Sequence, residues 1–214
     1  MLDYVSPFTF LFRDRDWLKK FLLASLLTYT LIGADPVTGW MVEVARRVSS
    51  GNPAALPEWE DWKSLWKQGA KFLAVNLLWL LPLVLALIII YLPLLLINRL
   101  PDTTLLVLWA GTFFCVLIFL LLYSIVYGFF LPAMVVRLVE TGRVWDSTNP
   151  ASLWETVRPH FSQYLLVFLI VSLGLVNVIL ILSAFTFFLL LPPLLVYLGL
   201  VSAHFAGQLS QPGQ

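Results

Sequence analysis

Hydrophobic positions in this 214-residue chain come mostly in unbroken blocks rather than in a repeating apolar and polar rhythm. Phe72–Asn98 and Thr103–Val136 contain no Lys, Arg, Asp or Glu, and neither do the 54 residues from Phe161 to Gln214. A bilayer core of ~30 Å is crossed by about 20 apolar residues at ~1.5 Å rise, so each block is long enough to span. The pattern predicts an all-α, polytopic transmembrane helical bundle.

The blocks resolve into three hairpins. Phe72–Ile97 is a long helix bent by Pro82 and Pro93, and the polar turn Asn98-Arg99-Leu100-Pro101-Asp102 reverses it into Leu105–Leu131. A third hairpin runs from Tyr164 to about Ser183 and back from about Phe187 to Gly207, with Pro192-Pro193 perturbing the returning helix early. The first is short. Phe21–Ala34 gives only ~21 Å of helix; Asp35-Pro36 breaks it, and Val37–Val48 returns, which reads as a re-entrant or partly spanning pair. Its turn must be shielded by other helices, since lipid cannot satisfy free backbone groups.

Polar positions gather between the blocks. From Pro57, Trp59, Trp62 and Trp66 recur at helical spacing opposite Glu60, Asp61, Lys63, Lys67 and Lys71. This predicts an amphipathic helix lying at the headgroup level. Leu153, Trp154, Val157 and Phe161 form a counterpart after Asn149-Pro150, with Pro159 ending or kinking it, and Trp17 heads a cruder version. Trp17, Trp59, Trp62, Trp66 and Trp154 are therefore candidate interfacial anchors, although the same indoles can also serve as a protein docking surface.

The units look related. Ala45-Arg46-Arg47-Val48-Ser49-Ser50-Gly51 matches Val136-Arg137-Leu138-Val139-Glu140-Thr141-Gly142, 91 residues on, and Lys71-Phe72-Leu73 matches Gln163-Tyr164-Leu165 with one residue inserted. This predicts a single membrane domain over 1–214, built of pseudo-repeat units 1–51, 52–142 and 143–207, with a polar tail at 208–214. Twelve of the thirteen Lys and Arg residues fall in Arg13–Lys20, Arg46–Lys71 and Arg137–Arg158, and only Arg99 lies elsewhere. Three returning hairpins place these segments on one side, and the positive-inside rule makes that side cytoplasmic, with the N-terminus. Early charges and the lack of a small-residue cleavage site argue against a removed signal peptide.

Composition agrees: hydrophobic residues are 60% and charged residues 12% of the chain, against roughly 25% charged in soluble domains. A net charge of +1 gives no field to recruit nucleic acid. The lone Cys115 has no intrachain disulfide partner.

Several motifs together point to a family. The N-terminal Phe-rich stretch, Asp16-Trp17-Leu18-Lys19-Lys20, Gly39-Trp40…Arg46-Arg47…Gly51 and Leu56-Pro57-Glu58-Trp59-Glu60-Asp61-Trp62 occur in that order. Glu140-Thr141-Gly142 and Ala203-His204-Phe205-Ala206-Gly207-Gln208 follow. Over nearly its whole length the chain resembles the domain-of-unknown-function 4013 family of prokaryotic integral membrane proteins. The resemblance implies a helical protein of the inner membrane and carries no catalytic residues.

Candidate chemistry is sparse. Asp35, Glu43, Asn76, Asn177 and His204 are the polar groups best placed to line a pathway. Each has a plainer role: Asp35 in a turn, Glu43 paired with Arg46 or Arg47 at helical spacing, the asparagines between helices, His204 hydrogen-bonded at the interface. Gly199, Ala203 and Gly207, four apart, form a small-residue face that lets a neighbour approach closely, from this chain or from a partner. Phosphate loops, nucleophile elbows and paired metal ligands are absent from the sequence. The reading is of a structural or accessory membrane component without catalysis, cofactor or metal. Its expected partners are membrane lipids and a second copy or another membrane protein. The alternative is a transporter or channel for a small solute or lipid.

Overall fold

In the computed structural model, residues 2–30, 33–52, 56–96, 101–186 and 188–211 are described. Every regular element among them is helical. In chain order these are α1 (Ser6–Thr9), a 3₁₀ turn (Phe10–Arg13), α2 (Trp17–Thr28), α3 (Ala34–Ser49), α4 (Trp62–Tyr91) and a 3₁₀ extension (Leu92–Leu96). Next come α5 (Asp102–Thr141), α6 (Val144–Thr148) and α7 (Pro150–Val157). A 3₁₀ turn (Arg158–His160), α8 (Phe161–Phe168), a π-helical segment (Leu169–Leu175), α9 (Val176–Phe185) and α10 (Leu191–Leu209) complete the chain.

Among the described residues, three helices are long and apolar enough to cross a membrane: Trp62–Tyr91, Asp102–Thr141 and the run Pro150–Phe185. In their most apolar stretches only 17%, 6% and 22% of residues are buried within the chain. Side chains such as Leu85, Val107, Phe114, Leu122 and Ile181 are more than half exposed. At about 25 cal/mol per Å² of apolar surface, water cannot hold so much bare hydrocarbon. A bilayer can.

The stretch read as the short first hairpin holds α2, ~18 Å long, and α3, ~24 Å, both under the hydrocarbon thickness. Asp35 and Pro36 do not break a helix there. They fall in the first turn of α3, where proline's missing N–H removes no bond. Pro192 and Pro193 likewise begin α10 instead of perturbing it. Pro159 acts as its spacing suggests, since α7 stops at Val157. The expected turn residues Asn98, Arg99 and Leu100, the position Phe187 and the last three residues of the tail lie outside the described residues.

The amphipathic helix expected from Pro57 is not a separate element. Residues 57–61 are not helical, and α4 starts at Trp62 and runs unbroken to Tyr91. The local reason is hydrogen bonding. Trp40 Nε1 donates to Pro57 O at 2.9 Å, Leu56 is held through both its N–H and C=O, and Asp61 caps the helix by accepting from Ser64 N.

Two compact units are distinguished, Met1–Val75 with Phe129–Gln214, and Asn76–Gly128. The larger has a dry core. Trp40, Leu56, Leu153, Val196, Leu200 and Phe205 are at most 1% exposed, and α10 packs along α3 and α2. The smaller consists of the facing parts of α4 and α5. Tyr123 donates to Trp79 O, Tyr127 donates to Asn76 Oδ1, and a shallow groove is lined by Pro82, Ala86, Cys115 and Phe119.

Candidate functional site

The polar residues of the larger unit collect into four nodes. In the first, the Lys20 ammonium, buried at 7% side-chain exposure, lies 2.9 Å from Asp14 Oδ2, 2.5 Å from Glu58 Oε1 and 3.2 Å from Leu56 O. Asp14, equally buried, also accepts the N–H groups of Asp16 and Leu56. Burial pushes the Asp14 carboxyl upward, but the bonds from Lys20 and the two backbone N–H groups outweigh it and hold it below the usual carboxylate range. Burial lowers Lys20, and its two carboxylate partners more than reverse this. The node fastens the start of α2 to the segment after α3.

The second node surrounds Glu43. Its carboxylate is 2.7 Å from Arg46 Nη1 and 3.9 Å from Arg47 Nε, and it accepts from Gln68 of α4 at 3.3 Å. The third lies at the end of α5. Lys71 Nζ donates to Gly142 O at 2.6 Å, while Arg137 donates to Ser152 O and lies 3.9 Å from both Glu140 and Glu155. A cation on a helix's last carbonyls offsets its dipole.

His204 anchors the fourth. Asp3 N donates to Gln208 Oε1 at 3.1 Å and Gln208 Nε2 reaches Asp3 O at 3.2 Å, which fixes the orientation of the amide. Its nitrogen also lies 3.3 Å from both Ser6 Oγ and His204 Nδ1, and His204 Nε2 is 3.4 Å from Ser6 Oγ. Phe10 packs on the imidazole at 4.6 Å. The cluster straps the N-terminal segment to α10.

The remaining sequence candidates find separate partners. Asn76 accepts from Tyr127, whereas Asn177 Nδ2 donates to Leu173 O of its own helix just past the π-helical segment. Asp35 offers its carbonyl to Thr38 Oγ1. Gly199 and Gly207 face α3: a Cβ on Gly199 would sit 2.3 Å from Met41 Sδ, and one on Gly207 2.5 Å from Ala45 O. Ala203, between them, is buried. Trp17 packs between Phe12 and Phe21, and Trp154 lies 6.3 Å from Phe161. Trp59 stacks on the buried Trp40 at 5.0 Å, so it belongs to the core side of its segment, while Trp62 and Trp66 stay more exposed.

Gly39, which the sequence offered only as part of a family motif, and Gly69, which it did not single out, make the tightest crossing. A Cβ on Gly39 would lie 1.9 Å from Leu65 O, and one on Gly69 1.9 Å from Asp35 O. Isolated glycines thirty residues apart carry no spacing signal; only the meeting of α3 with α4 pairs them. Gly51 and Gly142, the equivalent positions of the two matched segments, both have positive φ (77° and 64°) and both follow a helix. A glycine suits that left-handed conformation.

A family model described as a protein of unknown function, DUF4013, matches residues 22–191. The chain belongs to the DUF4013 family. No curated protein and no solved structure matches it. The DUF4013 match takes in α3 to α9, including Glu43, Lys71 and the Gly39–Gly69 crossing. It leaves out both partners of the terminal strap, and the Asp16–Lys20 and Ala203–Gln208 motifs also lie beyond the matched residues.

Proposed function

We propose that this DUF4013 protein is a non-catalytic structural component of a prokaryotic inner membrane that packs with a second copy or with another membrane protein. The observation that carries this reading is the bareness of α5, 6% buried over its most apolar stretch. The polar groups support it: Lys20, Asp14, Glu43, Lys71, His204 and Gln208 are all taken up in bonds that join one segment of the chain to another. Purified in mild detergent or a native-lipid disc, the protein is expected to show a mass above that of one chain. A strictly monomeric species with no stoichiometric companion would overturn the proposal.

The same contacts support a common side for the basic connectors. Lys20 meets Glu58, Lys71 meets Gly142, and Gln211 Nε2 donates to Val48 O at 2.8 Å. On a Cys115-free background, single cysteines at Lys19, Lys63 and Arg158 are expected to react with an impermeant reagent only when the cytoplasmic face is open. Opposite accessibility of Lys19 and Lys63 would refute this topology. The paired left-handed glycines Gly51 and Gly142 favour descent of the two segments from one repeated unit.

A second reading, transport of a small solute or lipid, draws on one feature. The π-helical segment Leu169–Leu175 lies inside a spanning run and is followed by Asn177, and such local widenings are frequent at functional sites. Flux in reconstituted vesicles that Asn177→Leu abolishes would favour transport over the structural role.

A further inference from the structure

We propose that the corner where α4 meets the end of α5 binds the phosphate of an anionic phospholipid, an inference that rests on the membrane reading above. Lys63, Lys67 and Lys71 recur every four residues and so line one side of α4. Lys71 closes the row by donating to Gly142 O at 2.6 Å, which brings the row up to the corner where Arg143 follows. Lys63, Lys67 and Arg143 are exposed and form no ion pair among the described residues. Of the neighbouring acids, Asp61 caps Ser64 and Glu140 and Glu155 flank Arg137, which leaves Glu60 and Asp146 against the four cations Lys63, Lys67, Lys71 and Arg143. Like charges brought to one corner favour a shared counter-anion.

The indoles identify its source. Trp62 and Trp66 adjoin the lysine row at 37% and 38% exposure, and Trp145, two residues beyond Arg143, is 73% exposed. A soluble phosphate gains nothing from these exposed indole surfaces, whereas a lipid sets its glycerol and upper acyl carbons against them and its phosphate among the cations. α4 runs from this corner straight into its apolar stretch, which puts the cations at headgroup depth.

The test uses the full chain in detergent, titrated with phosphatidylglycerol or phosphatidylcholine, with retained lipid read by native mass spectrometry. The wild type is expected to prefer phosphatidylglycerol, and Lys67→Gln with Arg143→Gln to reduce that preference about 30-fold, from roughly two cations' worth of surface attraction. The charge-keeping pair Lys67→Arg and Arg143→Lys should retain it, as should Arg15→Gln. No preference in the wild type, an undiminished preference in the double glutamine variant, or equal competition by inorganic phosphate would each overturn the site. Gel filtration excludes loss of fold as the cause. Resistance to alkaline carbonate extraction separates the two layers of inference: a chain that stays in the membrane yet shows no lipid preference refutes the corner site alone.

Discussion

Gly39→Ala and Gly69→Ala are each expected to destabilise the protein by about 3 kcal/mol or more, the upper end for overpacking. The added Cβ would lie 1.9 Å from a carbonyl oxygen in either case, Leu65 O for Gly39 and Asp35 O for Gly69. Neither oxygen is the free end of a side chain that can swing aside. Both belong to helical backbone, so α3 and α4 must separate. That separation strains Glu43–Gln68 and loosens the support of Trp40. Because one displacement relieves both clashes, the double variant should cost clearly less than the sum of the singles. Unfolding in mixed micelles, followed by helicity, measures this. Additive losses, or a Gly39→Ala protein as stable as the wild type, would mean that the crossing is not tight.

Breaking the buried pair comes next. Asp14→Ala is expected to cost about 3–5 kcal/mol, as for a buried charge stripped of its partner. It leaves Lys20 with Glu58, whose side chain is 60% exposed, and with Leu56 O, and it orphans the N–H groups of Leu56 and Asp16. Lys20→Met should cost less, because Asp14 keeps both of those N–H donors. Glu58→Gln should cost under about 1 kcal/mol, in keeping with its exposure. The pH response has two sides. Asp14 is depressed in the fold, so its contribution is present above the unfolded carboxylate value and is lost as pH falls through the lowered folded value. Lys20 is raised, so its contribution is complete below the unfolded lysine value and is lost as pH rises through the folded one. Stability of the wild type, but not of a Lys20→Met, Asp14→Leu double variant, should therefore fall at both extremes. Matching pH profiles for the two proteins would show that the node has no such role.

Sequence patterning reached unevenly into this structure. The blocks around Phe72–Asn98 and Thr103–Val136 announced α4 and α5, because a run of apolar residues longer than a bilayer is wide leaves little else for the chain to do. That α2 and α3 fall short of a bilayer's width was legible for the same reason, from a length deficit. Glu43 with Arg46 was legible too, since helical spacing of three or four is a local rule. Prolines were less informative than they looked. Pro36, Pro192 and Pro193 start helices, and whether a proline starts or bends a helix depends on where the preceding turn ends. The helix start at Trp62 was hidden because Pro57–Asp61 has a helical pattern of tryptophans, yet Trp40, Asp14 and Lys20 engage its flanking backbone from elsewhere in the chain.

Sequence alone established that this protein is helical and that its longest helices are long and apolar enough to cross a membrane. It also determined where the charges interrupt them, since hydropathy, length and helical spacing are properties of contiguous residues. Tertiary structure alone decided that Gly39 lies against α4 and Gly69 against α3, that Gly199 and Gly207 turn inward to α3, and that His204 serves the N-terminal strap. Close approach and pairing depend on which distant segments meet, and no window along the chain contains both partners.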